Sequence, residues 1–179
     1  MRPVLGVLGE LVVLVGVASA GCFVPGGLLY FLYVVVSELL ATYLIHCPAH
    51  YVVGRVLGIR FVSMRLGRTT LAKALPSRLS PLAGQLPVFT LSTDRATLSR
   101  AGRGRASAMY ASGTVASVLS AFVVAACVTP RAPVTLTIVT WVIAFGYLAF
   151  DLVFSPRSGD LMRARRARAA SATRPFGTQ

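Results

Sequence analysis

Four long apolar blocks constrain this chain more than any other feature of its sequence. They lie near 3–24, 27–45, 107–128 and 134–154, and the second extends to about 58. A bilayer core about 30 Å thick needs roughly 20 apolar residues in a helix that rises about 1.5 Å per residue. Only 13% of the residues are charged, whereas about 25% is usual in a soluble domain. The blocks therefore predict an all-α membrane protein with four transmembrane helices, and they exclude an ordinary soluble domain.

The connections between the blocks predict how the helices pair. Short linkers at 25–27 and 129–133 join the first block to the second and the third to the fourth, which predicts two helical hairpins. A long segment, 60–106, separates the hairpins. We treat 1–163 as a single transmembrane domain and expect 164–179 to be a basic, disordered tail.

Positive charge is concentrated between and after the hairpins. The segment 60–106 holds nine basic residues and one acid, and the residues after the fourth block hold six more, whereas Arg131 stands alone on the opposite side. The positive-inside rule then places both termini and the basic loop in the cytoplasm. We expect these segments to contact anionic lipid head groups. They lack the basic motif interleaved with aromatic residues that is typical of single-stranded nucleic-acid binding, so we predict no nucleic-acid partner.

The first block also resembles a signal peptide, because Arg2 and an apolar run precede the small residues Ala18-Ser19-Ala20. Glu10 argues against this interpretation, since a carboxylate in the middle of the apolar core is unusual for a signal sequence. As part of a transmembrane helix, Glu10 needs a partner within the bundle or stays protonated. The sequence leaves open whether this block is cleaved.

Ionisable residues inside the apolar blocks are candidate functional groups, because burying them in lipid is costly. They are Glu10, Glu38, His46, His50 and Asp151, with Asp160 just beyond the fourth block. The chain has two histidines, His46 and His50, and residues four apart on a helix share one face, so both imidazoles would face one metal ion. The alternatives are hydrogen-bonded histidines at a helix end, or a haem with either histidine as its axial ligand.

The segment from His46-Cys47-Pro48-Ala49-His50 to Phe61 resembles the first metal-binding segment of the site-two intramembrane zinc proteases. In that family a His-Glu-x-x-His motif on a membrane helix precedes a turn with small residues and Arg, and then a Leu-Gly-Ile/Val stretch. Residues 109–117 are similar to the family's Ala-Gly-Pro helix, with Thr114 in the usual place of proline. Residues 151–163 are similar to its Asn-x-x-Pro and Asp-Gly elements, the latter appearing here as Gly159-Asp160.

Position by position, this resemblance implies that His46, His50 and Asp160 bind zinc, with Asp151 near the position of the family's asparagine. Two histidines and one carboxylate with an open fourth position form a catalytic zinc set. Asp151 is the alternative third ligand, because it lies closer to the membrane core. The resemblance also implies another transmembrane protein as a substrate.

Cys47 stands where the family has the glutamate that accepts a proton from the zinc-bound water. A thiol is a poor replacement for that general base, and Asp151 is the nearby carboxylate that is left to replace it. Pro48 removes a helix hydrogen bond and is expected to kink the chain, which would turn the two histidines apart. The alternative is that Cys47 caps a new helix with Pro48 at its first position, which would leave His46 outside that helix. We therefore predict a divergent metal-binding member that lacks the usual base. The alternative is a non-catalytic accessory or scaffold subunit, a pseudoenzyme, whose partner is another transmembrane protein.

Overall fold

The computed structural model describes residues 1–68 and 87–169. Its elements are α1 Pro3–Ala20, α2 Leu28–Leu44, α3 His46–Val56, β1 Phe61–Arg68, β2 Pro87–Thr93, α4 Arg95–Ala101, α5 Arg103–Val128, α6 Val134–Ser158 and α7 Asp160–Ala169, with a 3-10 turn at Gly21–Phe23. Four helical stretches are long and apolar enough to cross a membrane: Pro3–Phe23, Leu28–Val56, Arg103–Val128 and Val134–Arg157. The prediction of four such helices is confirmed. The third begins at Arg103, ahead of its expected start near 107.

The surface of the helical bundle is apolar and part of its interior is polar. Val12 and Val142 point outward with 69% and 64% of their surfaces exposed, whereas Glu38 and Ser117 have no exposed surface. A soluble protein places these residue types the other way round. Apolar outer faces suit lipid contact, and polar groups in such a bundle face its interior.

Helix α5 lies at the centre of the bundle and packs against α2, α3, α6 and α7. Its contact with α6 uses the fully buried small residues Ala121, Ala125 and Ala144. Small side chains allow helix backbones to approach closely where lipid supplies no hydrophobic driving force. This central position brings α3 and α7 to the same end of α5.

The second apolar block is interrupted at Ile45, where α2 ends and α3 begins. Pro48 has no backbone N–H to donate to the carbonyl of Leu44, so the helical hydrogen-bond ladder is interrupted there. The break between the helices therefore falls before His46 and not between the two histidines, which both belong to α3.

The basic loop differs from the all-α expectation, because it contains the antiparallel strands β1 and β2. Val62, Val88 and Phe89 are residue types that favour strands. The hairpin is anchored by Met64, whose backbone N–H and carbonyl both bond the first residue of the chain. The β-strand propensity of these residues was not recognised in the sequence, because the segment around them is dominated by positive charge. Residues 69–86 of this loop lie outside the described part.

The predicted tail also differs from expectation in its first part. Helix α7 runs through Ala169, so the first six residues of the segment expected to be disordered are helical. Residues 170–179 lie outside the described part of the chain.

Candidate metal centre

The two histidines lie side by side on α3, one helical turn apart. The Nε2 atoms of His46 and His50 are 3.2 Å from each other, and the two rings meet edge to face. The break at Ile45 leaves this turn of α3 intact. The spacing of four residues thus brings the two Nε2 atoms close enough to bind the same ion.

Asp160 is the third member of this group, and it comes from the first residue of α7. Its Oδ2 lies 2.9 Å from Nε2 of His46 and 3.1 Å from Nε2 of His50. Its other oxygen lies 3.4 Å from a guanidinium nitrogen of Arg163. Among the described residues, His46, His50 and Asp160 are the group of side chains close enough to share a metal ion. Asp151, the alternative ligand, is outside this group, and its buried Oδ2 has no hydrogen-bond partner within 1–68 and 87–169.

Hydrogen bonds to the far side of each imidazole assign the tautomers. Nδ1 of His50 lies 2.7 Å from the carbonyl oxygen of Met109 and must donate to it. Nδ1 of His46 lies 3.1 Å from the hydroxyl of Ser117, and that hydroxyl donates its own proton to the carbonyl of Thr42 at 2.7 Å. Ser117 therefore accepts from His46. A neutral imidazole carries one proton, so wherever His46 and His50 are both neutral their Nε2 atoms present lone pairs to Asp160.

Three lone-pair atoms thus face one another at separations of 2.9, 3.1 and 3.2 Å. Such an arrangement is repulsive unless a proton or a cation lies among the atoms. A tetrahedral ion bonded to N and O ligands at about 2.0–2.1 Å holds those ligands about 3.3 Å apart. The observed triangle is within a few tenths of an ångström of that spacing.

Burial on its own raises the pKa of the Asp160 carboxyl. Without a metal, hydrogen bonds from imidazoles protonated on Nε2 and their charge outweigh burial and hold that pKa well below its usual range. The counter-charge is either a proton on an imidazole or a bound cation. The site therefore combines a fixed negative charge with two nitrogen donors.

One face of α5 shapes the histidine side of the site. Met109, Gly113 and Ser117 follow one another at intervals of four residues, which places them on the same side of the helix. A Cβ atom at position 113 would lie 2.7 Å from the Cδ2 and Cε1 atoms of His50 and closer still to its Nε2. Sequence reasoning did not identify these three as site residues. The sequence gives little signal for them, because this helix contains several other small and polar residues.

A cavity of about 250 Å³ opens beside the three metal-binding candidates and is bordered by β2. Cys47 lines it, but the thiol donates a hydrogen bond to the carbonyl of Phe89 at 3.2 Å. The side chain at this position therefore lies between the histidines and strand β2. It supplies no carboxylate there.

A smaller cavity of about 170 Å³ lies on the α1 side of His46 and Cys47. Glu10 lines it with Tyr43 and Tyr147. Both carboxylate oxygens of Glu10 are buried and have no hydrogen-bond partner among the described residues, and the same is true of Glu38. The protein partner expected for Glu10 is thus not found within the described part of the bundle.

Comparison of the chain with protein-family models, with curated proteins and with solved structures gives no match. The resemblance to the site-two proteases stays a prediction that depends on its motif residues alone.

Proposed function

We propose that this chain is a multi-pass membrane protein that binds one zinc ion through His46, His50 and Asp160. The proposal depends on the convergence of the two Nε2 atoms and one Asp160 oxygen. The imidazoles are held in place by hydrogen bonds from their Nδ1 atoms to Ser117 and Met109. A hydrogen bond to the second nitrogen of a metal-binding histidine is the usual means of fixing its tautomer. Two nitrogens and one oxygen favour zinc over magnesium or calcium, which prefer oxygen ligands.

The haem alternative is less compatible with this geometry. An axial histidine must face an open, flat porphyrin ring. Here the other imidazole and the Asp160 carboxylate occupy the space in front of each Nε2 atom. A single small ion suits the space better.

The membrane placement follows from charge and connectivity. With the basic segments in the cytoplasm, both termini and the β-hairpin lie on that side. His46 and His50 precede this hairpin, and Asp160 begins the basic helix α7. The metal site then lies near the cytoplasmic face, at the end of the apolar stretches.

The reaction class that we propose is hydrolysis of a membrane-embedded peptide. Three protein ligands leave one zinc position open, and zinc bound in this way activates water and polarises a carbonyl. Strand β2 pairs with β1 along one edge, and several of its residues border the cavity. Its backbone offers an extended peptide a strand to pair with. Because position 47 is a cysteine, the half-buried Asp151 or the buried Glu10 would have to accept the proton from the zinc-bound water.

The second candidate function is that of a non-catalytic accessory subunit. The observation that favours it is Cys47, whose thiol is hydrogen-bonded to Phe89 at the position where a general base is needed. In that case the metal would stabilise the bundle, and the apolar outer faces would bind another transmembrane protein.

Metal content tests the proposal first. We expect one zinc per chain in the purified protein, and a loss of that zinc in His46→Ala and in His50→Ala. Asp151→Asn is the matched control, because it changes a buried carboxylate outside the ligand group and should retain the metal. A wild-type protein that binds no zinc when it is supplied would refute the metal site.

A substitution at Cys47 separates the two functions. We expect Cys47→Glu to raise cleavage of a fluorogenic peptide with an apolar transmembrane segment, because it supplies the missing carboxylate beside the zinc ligands. Cys47→Gln has the same length without the charge and should leave cleavage unchanged. A zinc-loaded Cys47→Glu protein without activity would favour the accessory subunit.

A further inference from the structure

The junction between α6 and α7 holds a pair of buried hydroxyl groups close to Asp160. Ser155 lies in the last turn of α6, and its hydroxyl oxygen is 3.4 Å from that of Thr114 on α5. Both residues are buried, with 7% and 6% of their surfaces exposed. The backbone N–H of Leu161 donates to the same Ser155 oxygen at 3.4 Å. The hydroxyl of Ser155 thus joins three helices at the point where α7 begins.

The contact with Leu161 supports the first turn of α7. The first four backbone N–H groups of a helix have no partner within that helix, and a side-chain oxygen commonly accepts one of them. The residue before α7 is Gly159, which has no side-chain oxygen for this purpose. Ser155, from the preceding helix, supplies the oxygen instead. Because Asp160 is the first residue of α7, this contact lies one residue from the carboxylate that meets the histidines.

Gly159 allows the junction to pack closely. A Cβ atom at position 159 would lie 2.9 Å from the hydroxyl oxygen of Ser155 and 3.1 Å from its Cα atom, closer than ordinary van der Waals contact. The backbone N–H of Gly159 donates to the carbonyl of Ser155 at 3.0 Å. The chain from Ser155 to Asp160 is therefore short and closely packed, and it leaves Asp160 little room to move independently.

Thr114 connects this junction to the histidine side of the site. It follows Gly113, which lies against the imidazole of His50, so neighbouring residues of α5 contact both sides of the metal site. In the site-two protease helix that this segment resembles, proline is usual at the position of Thr114. Proline has no hydroxyl and could not make the contact with Ser155. The contact therefore depends on this chain's own departure from that motif.

We propose that Thr114 and Ser155 are positioning residues, whose contact holds the start of α7 where the Asp160 carboxylate meets the two imidazoles. Neither residue belongs to the group of three side chains that would bind the ion. Ser117 and Met109 orient the histidines, and the hydroxyl pair does the corresponding work for the third ligand. The inference rests on the zinc site proposed above, but not on peptide hydrolysis.

Substitutions at Thr114 test its hydroxyl group directly. Thr114→Val replaces the hydroxyl by a methyl group of similar size, whereas Thr114→Ser keeps the hydroxyl and is the matched control. We expect Thr114→Val to weaken zinc binding at least about 10-fold, the lower end of the range for loss of a group that supports a metal ligand. Thr114→Ser should retain the wild-type affinity. The measurement is competition for zinc against a chromophoric chelator.

Ser155→Ala removes the other hydroxyl and should weaken zinc binding to a similar or greater extent. The double variant Thr114→Val, Ser155→Ala should bind zinc no more weakly than Ser155→Ala, because both substitutions remove one contact. Hydrogen exchange of the Leu161 N–H should become faster in metal-free Ser155→Ala, since that N–H loses its acceptor. Melting temperatures verify that each variant is folded.

The visible absorption spectrum of the cobalt-substituted protein separates positioning from general stability, because it depends on the arrangement of the ligands around the metal. We expect Thr114→Val and Ser155→Ala to change this spectrum and Thr114→Ser to preserve it. A residue that only stabilises the fold would lower the melting temperature and leave the spectrum of the folded protein unchanged.

Two results would overturn the inference. Wild-type zinc affinity and cobalt spectra in Thr114→Val and Ser155→Ala would show that Asp160 keeps its place without the hydroxyl pair. Additive losses of affinity in the double variant would show that the two residues act separately. Both results leave the metal site itself standing, whereas a wild-type protein that binds no zinc would refute that site and this inference with it.

Discussion

Replacement of Gly113 by alanine tests the metal site without touching a ligand. The added Cβ would lie 2.7 Å from Cδ2 and Cε1 of His50, and its nearest neighbour would be Nε2, the atom that would bind the metal. To restore ordinary van der Waals contact, the two ring carbons must retreat by about 0.7 Å and the nearer Nε2 atom by more than that. The hydrogen bond from Nδ1 of His50 to Met109 opposes this movement.

The displacement is large on the scale of a metal site. Metal–ligand distances are held to about 0.2 Å, so a shift of this size removes His50 as a ligand. Loss of a supporting residue alone costs about 10–100-fold in metal affinity. We expect Gly113→Ala to weaken zinc binding by about 100-fold, or roughly 2.8 kcal/mol. Overpacking should also lower the free energy of unfolding by about 1–3 kcal/mol.

The assay is competition for zinc against a chromophoric chelator, combined with thermal melting. Gly146→Ala is the matched control, since Gly146 also lies within a long helix and nothing is within 4 Å of a Cβ built there. This control should keep wild-type affinity. If Gly113→Ala bound zinc as tightly as Gly146→Ala, then His50 would not be a ligand in the geometry described.

Three further predictions address the remaining parts of the site. Ser117→Ala removes the acceptor that orients His46 and should weaken zinc binding about 10–100-fold in the same competition assay. The control Ser120→Ala, one turn further along α5, should not weaken it, and equal effects of the two variants would contradict the assigned tautomer. Asp160→Asn should abolish stoichiometric zinc while Asp151→Asn retains it, as measured by elemental analysis, and the reverse result would make Asp151 the third ligand. Removal of zinc by a chelator should lower the melting temperature of the wild-type protein, because an ion that binds only the folded state stabilises that state. The chelator should not change the melting temperature of Asp160→Asn. An unchanged wild-type melting temperature would show that no metal supports the fold.

The four apolar stretches were predictable from the sequence, because hydrophobic length is a local property that needs no knowledge of packing. The shared face of His46 and His50 was predictable for the same reason, since it follows from helical periodicity. The expectation that Pro48 separates the two histidines was wrong, because both lie in α3. A proline interrupts the ladder on its N-terminal side, so the break at Ile45 precedes both histidines.

The β-hairpin was missed, because alternation of buried and exposed side chains is weak evidence over eight residues of a highly basic segment. The supporting atoms of the site were missed for a different reason. The hydroxyl of Ser117 and the carbonyl of Met109 orient histidines that lie about 60–70 residues away in sequence. No local pattern links residues at that separation.

The sequence by itself thus determined the number of apolar helices, the distribution of charge and the pair of histidines on one helical face. Only the tertiary structure decided which carboxylate meets them. Asp151 and Asp160 are both near in sequence to the end of α6, but the packing of α7 against α5 brings Asp160 to the imidazoles. That choice depends on contacts between distant helices, and the same packing determines that Gly113 leaves room for His50.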